Sequence, residues 1–326
     1  MTPPRIVLLT TGGTIAGVSD SGTAEAYTAG VLDGTAIAAA IPDLASLVTL
    51  EVQPCLSIDS RDATPADWLS MARAARAVLA REEVAGLVIS HGTDTLEESA
   101  LFLDAVLPAG KPVVMTGAMR PATAISADGP ANLRDALRVA ALPASAGHGV
   151  LVVFNEQILA ASGLRKAHAT HINAFANQDG PLGTTRPGAP RYFAPPPPHA
   201  EALPLPETLP QVCILHAGAG SSPELATAAV GLGASGLVLA LSGNGSVPAA
   251  WEKTLQALSA QGIALVRGTR CAQGFIAARD DDERCGSWPA GRLSAAQARV
   301  ALMLALTQGA AARQVFSRMA GTAQSS

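Results

Sequence analysis

Short, uninterrupted apolar runs alternate along the first half of the chain with longer segments whose apolar positions recur every three or four residues. The runs at 5–9, 86–90, 112–116 and 149–154 predict strands, and the periodic segments at 64–80, 96–107 and 130–142 predict helices. Strands that are apolar on both faces and separated by helices predict βαβ units and a covered parallel sheet. Helix ends are signalled locally. Thr64 stands at a cap position, with Pro65 first in the helix and Asp67 in its first turn. Thr95 followed by Glu98 predicts a capping box, and Glu97 and Glu98 lie near that helix's positive end. The pattern resumes later, with strands at 212–216, 236–241 and 263–267 and helices at 223–232, 249–261 and 294–307.

Between the two α/β patterns, residues 191–210 are rich in proline and include Pro195-Pro196-Pro197-Pro198. Such a segment is extended and stiff, which predicts an interdomain linker. The expected architecture is α/β in two domains, each a mainly parallel sheet covered by helices: a larger N-terminal domain at 1–190, a linker at 191–211 and a smaller C-terminal domain at 212–326. A length of 326 residues suits two domains. One uncharged stretch, 225–251, is long enough to span a membrane, but Gly231, Gly233, Gly236, Gly243, Gly245 and Pro248 interrupt it. It reads as a buried helix, a buried strand and a loop. The apolar run 6–9 is too short for a signal-peptide core, which predicts a cytoplasmic protein unless a leader was removed.

Charge and composition narrow the chemistry. A net charge of −4 gives no reason to expect a nucleic-acid or anionic-membrane partner. Cys55, Cys213, Cys271 and Cys285 form no C-x-x-C pair, so they read as core or surface thiols rather than a zinc or redox motif. The chain holds two tyrosines, Tyr27 and Tyr192, and three lysines, Lys111, Lys166 and Lys253. Roles needing a phenol or an amine therefore have few candidates.

In parallel sheets, ligands bind beyond the carboxyl ends of the strands. The segments that follow the strands are 10–14, 91–95, 117–126, 155–166 and 242–246. The first opens Thr10-Thr11-Gly12-Gly13-Thr14-Ile15-Ala16-Gly17, with hydroxyls on both sides of a glycine pair and no dinucleotide or Walker spacing. The second is Ser90-His91-Gly92-Thr93-Asp94-Thr95-Leu96-Glu97-Glu98. There Thr93 and Asp94 are left over from helix capping, and His91 reads as a structural hydrogen-bonder. His168 and His171 have helical spacing but no carboxylate or cysteine at ligand spacing, so no metal site is expected. Arg120, Asp128 and Asn132 read as scaffold.

These two motifs together resemble the bacterial-type L-asparaginase / glutaminase-asparaginase family. The resemblance extends over Gly117-Ala118-Met119-Arg120-Pro121, Ser126-Ala127-Asp128-Gly129-Pro130-Ala131-Asn132-Leu133, Gly180-Pro181-Leu182-Gly183, Ser242-Gly243-Asn244-Gly245 and the last apolar helix. It implies amide hydrolysis by threonine hydroxyls with no cofactor or metal. Thr11 matches the primary nucleophile, and Tyr27 matches a tyrosine that assists it from a lid loop. Thr93 matches the second essential threonine, and Lys166 its lysine partner. Asp94 matches the acid that completes this group and holds the substrate α-amino group; Ser60 matches a serine on its α-carboxylate.

The residue types fit that role. A threonine hydroxyl is a weak nucleophile without a base or charge stabilisation. A lysine serves as a base only when its pKa is depressed; Arg165 beside Lys166 is one group that would do so, whereas orienting Thr93 is the other role open to Lys166. One departure is Arg61, where well-studied members carry glutamine; it either holds the substrate carboxylate or swings out to pair with Asp62. Asn244 and Ser246 are the candidates for a site shared between subunits, and serine at 246 goes with broader glutaminase activity. The family also borrows an acidic residue across subunits; Arg279-Asp280-Asp281-Asp282-Glu283 covers that region but reads mostly as a solvated acidic loop. The resemblance implies a homotetramer, a dimer of dimers, acting on L-asparagine. The alternatives are a glutaminase-asparaginase of broad amide specificity, an amidotransferase subunit, disfavoured because the chain lacks that subunit's extra N-terminal domain, and a non-catalytic amino-acid-binding protein.

Overall fold

The computed structural model describes residues 2–17, 38–195 and 201–323. The chain folds as two compact units, Met1–Leu205 and Pro206–Ser326. The first is built on strands β1 (Arg5–Gly12), β2 (Thr49–Ile58), β3 (Gly86–Ser90), β4 (Val113–Thr116), β5 (Val150–Phe154) and β6 (Gln157–Ala160). A separate ribbon pairs β7 (Leu164–Lys166) with β8 (Phe175–Asn177), and β9 (Gly183–Thr184) and β10 (Arg191–Tyr192) close the sheet's far edge.

The sheet order is β10-β9-β6-β5-β4-β3-β1-β2. From β2 to β5 every pairing is parallel; from β5 outward it is antiparallel. The sense reverses at Asn155-Glu156, a two-residue hairpin in which both residues have positive φ, 45° and 67°. The chain runs from β1 outward to β2, then returns to place β3 on β1's other side. That reversal makes the carboxyl ends of β1 and β3 a topological switch point, where open α/β sheets bind ligands.

Helices cover the sheet: α1 (Leu44–Leu47), α2 (Pro65–Leu79), α3 (Leu96–Val106) and α4 (Gly129–Ala140). Helix α2 starts as expected, because the Asp67 carboxylate accepts from both the N–H and the hydroxyl of Thr64 at 2.8 and 2.6 Å. Strands β1, β3, β4 and β5 are almost wholly buried, and Leu133, Ala136, Leu137 and Ala140 of α4 pack onto them. Strand β2 has no counterpart among the sequence-predicted strands. It carries Glu51, Gln53 and Pro54, and a proline fits a strand only where no ladder bond is lost; β2 is the sheet edge.

The second unit has a parallel four-stranded sheet of β11 (Val212–His216), β12 (Gly236–Leu241), β13 (Ala264–Thr269) and β14 (Ser287–Pro289). Its helices are α5 (Glu224–Gly231), α6 (Ala249–Ala260), α7 (Asp280–Cys285), α8 (Ala295–Leu306) and α9 (Ala312–Ala320). Among the described residues no helix is long and apolar enough to cross a membrane.

Three sequence expectations are corrected here. Helix α5 is not buried: Ala226 alone is fully covered, and Leu225 and Leu232 are 50% and 79% exposed. The acidic run is not a solvated loop but opens α7, and Asp282 lies inside, paired with Arg267. The proline-rich segment does not begin as a free linker. Arg191-Tyr192 is an edge strand, the Tyr192 hydroxyl donates to Ser145 Oγ at 2.7 Å, and the Leu203 N–H donates to the Ala105 carbonyl at 2.8 Å.

Candidate functional site

The glycine pair after β1 is built for close approach. Gly12 and Gly13 have φ of 97° and 82°, a region that L side chains rarely adopt. Pairing with β2 is regular up to Thr10–Pro54 and then jumps to Gly12–Ile58, so β2 bulges opposite Thr11. The Gly13 N–H donates to the Ile58 carbonyl at 3.0 Å. A Cβ on Gly12 would fall 2.4 Å from Ile58 O, and one on Gly13 would fall 2.5 Å from Gly92 Cα. The two motifs singled out in the sequence are thus pressed backbone to backbone. Thr11 is buried between them, its hydroxyl donating to the Ser90 carbonyl at 2.9 Å.

Ser60, on a single turn of 3-10 helix after β2, ties the loop 91–95 from the other side. Its hydroxyl accepts from the Asp94 N–H at 3.1 Å, and its carbonyl accepts from the Thr95 hydroxyl at 2.8 Å. The Thr95 side chain is therefore spent on Ser60 and makes no cap bond, which corrects the expected capping box. A Cβ on Gly92 would lie 2.5 Å from Ser60 Oγ, and one on Gly117, just past β4, 2.5 Å from the His91 carbonyl. Below these loops, Asp128 accepts from the N–H groups of Met119 and Arg120 at 3.0 Å each. Asn132 donates to the Gly117 carbonyl at 3.0 Å and accepts from the Asn155 N–H at 3.0 Å. This is the scaffold role expected of these residues.

His91 is buried with both ring nitrogens engaged. A carbonyl only accepts, so Nδ1 carries the proton and donates to Gly92 O at 2.7 Å, while Nε2 accepts from the Ser99 hydroxyl at 3.0 Å. Burial pushes its pKa below the usual imidazole value, partly opposed by the Gly92 carbonyl. His168 and His171 lie on a turn rather than a helix, where His168 Nδ1 accepts from the N–H groups of Thr170 and His171.

Lys166 arrives from β7, outside the main sheet. Its ammonium donates to Thr93 Oγ1 at 3.0 Å and to Asp94 Oδ1 at 2.5 Å. Thr93 is buried and the Asp94 carboxylate half-exposed, so the trio has a closed side and an open side. Because Lys166 donates to Thr93 Oγ1, the threonine's own proton is free to point elsewhere. Arg165, next along the strand, faces the other way and donates to Gln178 Oε1 at 3.1 Å. Burial lowers the Arg165 pKa, with the Glu97 charge opposing.

Arg61 swings outward. Its Nε lies 3.2 Å from Asp59 and 3.8 Å from Asp62, and its side chain is 70% exposed. Asn244 and Ser246 belong to the second unit, in a tight loop where the Ser246 N–H donates to the Ser242 carbonyl at 3.1 Å. Both are exposed. Arg267, wholly buried beneath, donates to the Asn244 carbonyl at 3.1 Å and grips Asp282 through two bonds of 2.7 Å. Tyr27 lies outside the described residues. The first unit thus brings Thr11, Ser60, Thr93, Asp94 and Lys166 to one end of the sheet around the switch point. Sequence reasoning missed Glu97, whose carboxylate accepts the Lys166 N–H at 2.6 Å; its placement in a helix's first turn had only suggested a favourable dipole interaction.

Comparison with known proteins gives the family and fold to which the chain is similar. Residues 5–198 match the family model described as Asparaginase, N-terminal, and residues 211–319 match the Glutaminase/Asparaginase C-terminal domain. L-asparaginase 2 of Escherichia coli is 39% identical over 313 residues, covering 94% of this chain and 89% of that one. Glutaminase-asparaginase of Acinetobacter glutaminasificans is 35% identical over 322 residues, covering 95% and 97%. A solved structure named Probable Cytoplasmic L-asparaginase, from Campylobacter jejuni, superposes with a TM-score of 0.91 at 36% identity, covering 97% of this chain and 99% of that one.

Proposed function

The chain belongs to the asparaginase family, and from that premise we propose that it is an L-asparaginase working through a threonine nucleophile. Thr11 Oγ attacks the side-chain carboxamide carbon of L-asparagine. The C–N bond breaks, the nitrogen takes up the proton that the Thr11 hydroxyl gives up, and ammonia departs, leaving an ester of aspartate on Thr11. Water then adds to that ester, releasing L-aspartate and restoring the hydroxyl. Thr93, Asp94 and Lys166 assist as one group: Lys166 orients Thr93 and offsets developing negative charge. The open Asp94 carboxylate binds the α-amino group, and Ser60 with its neighbouring N–H donors binds the α-carboxylate. Arg61, released from Asp59, adds a cation for the same carboxylate. Tyr27 assists Thr11. Asn244 and Ser246 contribute from a second subunit.

The observation that carries this reading is the Lys166 ammonium bridging Thr93 and Asp94, with Thr11 at the neighbouring strand end. Ammonia release from asparagine tests it. Thr11→Ala should abolish turnover, and Thr93→Ala and Lys166→Met should each lower kcat by about 100- to 10,000-fold with the fold intact. Wild-type turnover in Thr11→Ala or Thr93→Ala would overturn the mechanism. A broader glutaminase-asparaginase is favoured by Ser246, and turnover on glutamine beside asparagine separates the two. The same proposal includes a cytoplasmic protein, supported by the likeness to the structure named Probable Cytoplasmic L-asparaginase, and fractionation tests it. It also includes a homotetramer, supported by Leu225 on α5 and Leu232 just past its end, both standing exposed.

A further inference from the structure

Lys166 is carried by a ribbon that is not part of the main sheet, so no ladder bond fixes it against Thr93. The ribbon is anchored along its length, with Phe175 opposite Lys166 and Asn177 opposite Leu164. Leu164 and Phe175 are buried, the Phe175 ring meets Phe154 edge-on at 4.9 Å, and Asn177 donates to the carbonyls of Ala160 and Ser162 at 3.0 and 2.8 Å. At the tip, the backbone N–H of Lys166 points out of the ribbon and meets Glu97 Oε2 at 2.6 Å, a short charge-assisted bond. Glu97 lies in the first turn of α3, one turn after Thr93 and Asp94. One rigid corner therefore holds both partners of the lysine, and through Glu97 it also holds the lysine's main chain. Glu97 faces the charge of Arg165 as well.

We infer that Glu97 is a positioning residue for the amide hydrolysis: its carboxylate sets where the Lys166 ammonium stands relative to Thr93 and Asp94. The inference rests on the reading of Lys166 given above. A lysine has a long flexible stem, so fixing its main chain confines the ammonium before substrate arrives. The contact that Glu97 makes with this group is to the Lys166 main chain, behind the ammonium that meets Thr93 and Asp94. Its loss therefore appears in kcat more than in KM.

The test compares Glu97→Gln and Glu97→Met in the full chain, both close to glutamate in size and differing in whether the tip accepts a hydrogen bond. Glu97→Met is expected to lose about 10- to 100-fold in kcat, the scale of a small misplacement of a catalytic group. Its KM for asparagine should stay within about threefold, and Glu97→Gln should keep most of the activity. Equal kcat in the two variants, or a loss confined to KM, overturns the inference. Should Glu97→Met fail to fold, Glu97→Asp draws the carboxylate back by one methylene; reduced kcat at unchanged KM supports the inference, and wild-type kcat overturns it. Lys166→Met is measured in parallel. If that variant is fully active, the reading of Lys166 fails; if it is inactive while Glu97→Met is not, only the role of Glu97 fails.

Discussion

Gly92 separates two groups that cannot come closer. On one side a Cβ would strike the Ser60 hydroxyl, and on the other Gly13 already leaves no room. Both glycines stand in the two motifs that the sequence singles out; contact between them depends on which strands are neighbours. His91, beside Gly92, was legible as a structural group because nothing at metal spacing accompanied it. Its neutral state has a measurable consequence. Burial holds its pKa below the ordinary 6.5. As pH falls through that value the unfolded chain takes up a proton that the folded chain does not. The His91 contribution is therefore complete above about pH 6.5 and shrinks below it, by up to about 1.4 kcal/mol per pH unit. Melting temperature should decline between about pH 7 and 5, and His91→Gln should flatten that decline. An unchanged slope in the variant would show that other groups dominate.

At the scale of elements, strands buried on both faces declare themselves. β3 and β12 occupy the residues that their apolar runs predict. β2 does not, because an edge strand tolerates charge and proline that an interior strand excludes. Helix α5 misled in the opposite direction: an apolar segment with no charge reads as interior, yet most of its surface is open in the single chain. The acidic run hid a third case. Five charged side chains in a row look solvated, but Arg267 on β13 has no exposed surface and draws one of them inward. Burial pushes the Asp282 carboxyl up, and bonds from Arg267, Ser287 and the Arg279 N–H outweigh it and hold it below the ordinary range. Removing one member of a buried pair strands the other charge. Asp282→Ala should therefore cost about 3–5 kcal/mol in denaturant unfolding. A cost near zero would mean that Arg267 finds another partner.

At the scale of the molecule, the sheet order places the carboxyl ends of β1 and β3 side by side. Light scattering at working concentration should give four times the 32.9 kDa chain mass if the proposed tetramer forms. A fully active monomer would remove the role given to Asn244 and Ser246. The amino-acid pattern alone determined that the chain alternates strands and helices in two α/β units, because apolar periodicity is a local property. It also singled out Thr11, Ser60, Thr93, Asp94 and Lys166, because hydroxyls, a carboxylate and a rare lysine sit in loops that follow strands or in motifs with a family likeness. Which of these meet was decided only in three dimensions. Residues 93 and 166 are joined by a side-chain bond of 3.0 Å across 73 positions of sequence. The N–H that Glu97 receives is on the backbone, so it leaves no mark in residue type. Arg61 turned outward for the same kind of reason: its partner, Asp59, was chosen by a turn of backbone rather than by the sequence pattern.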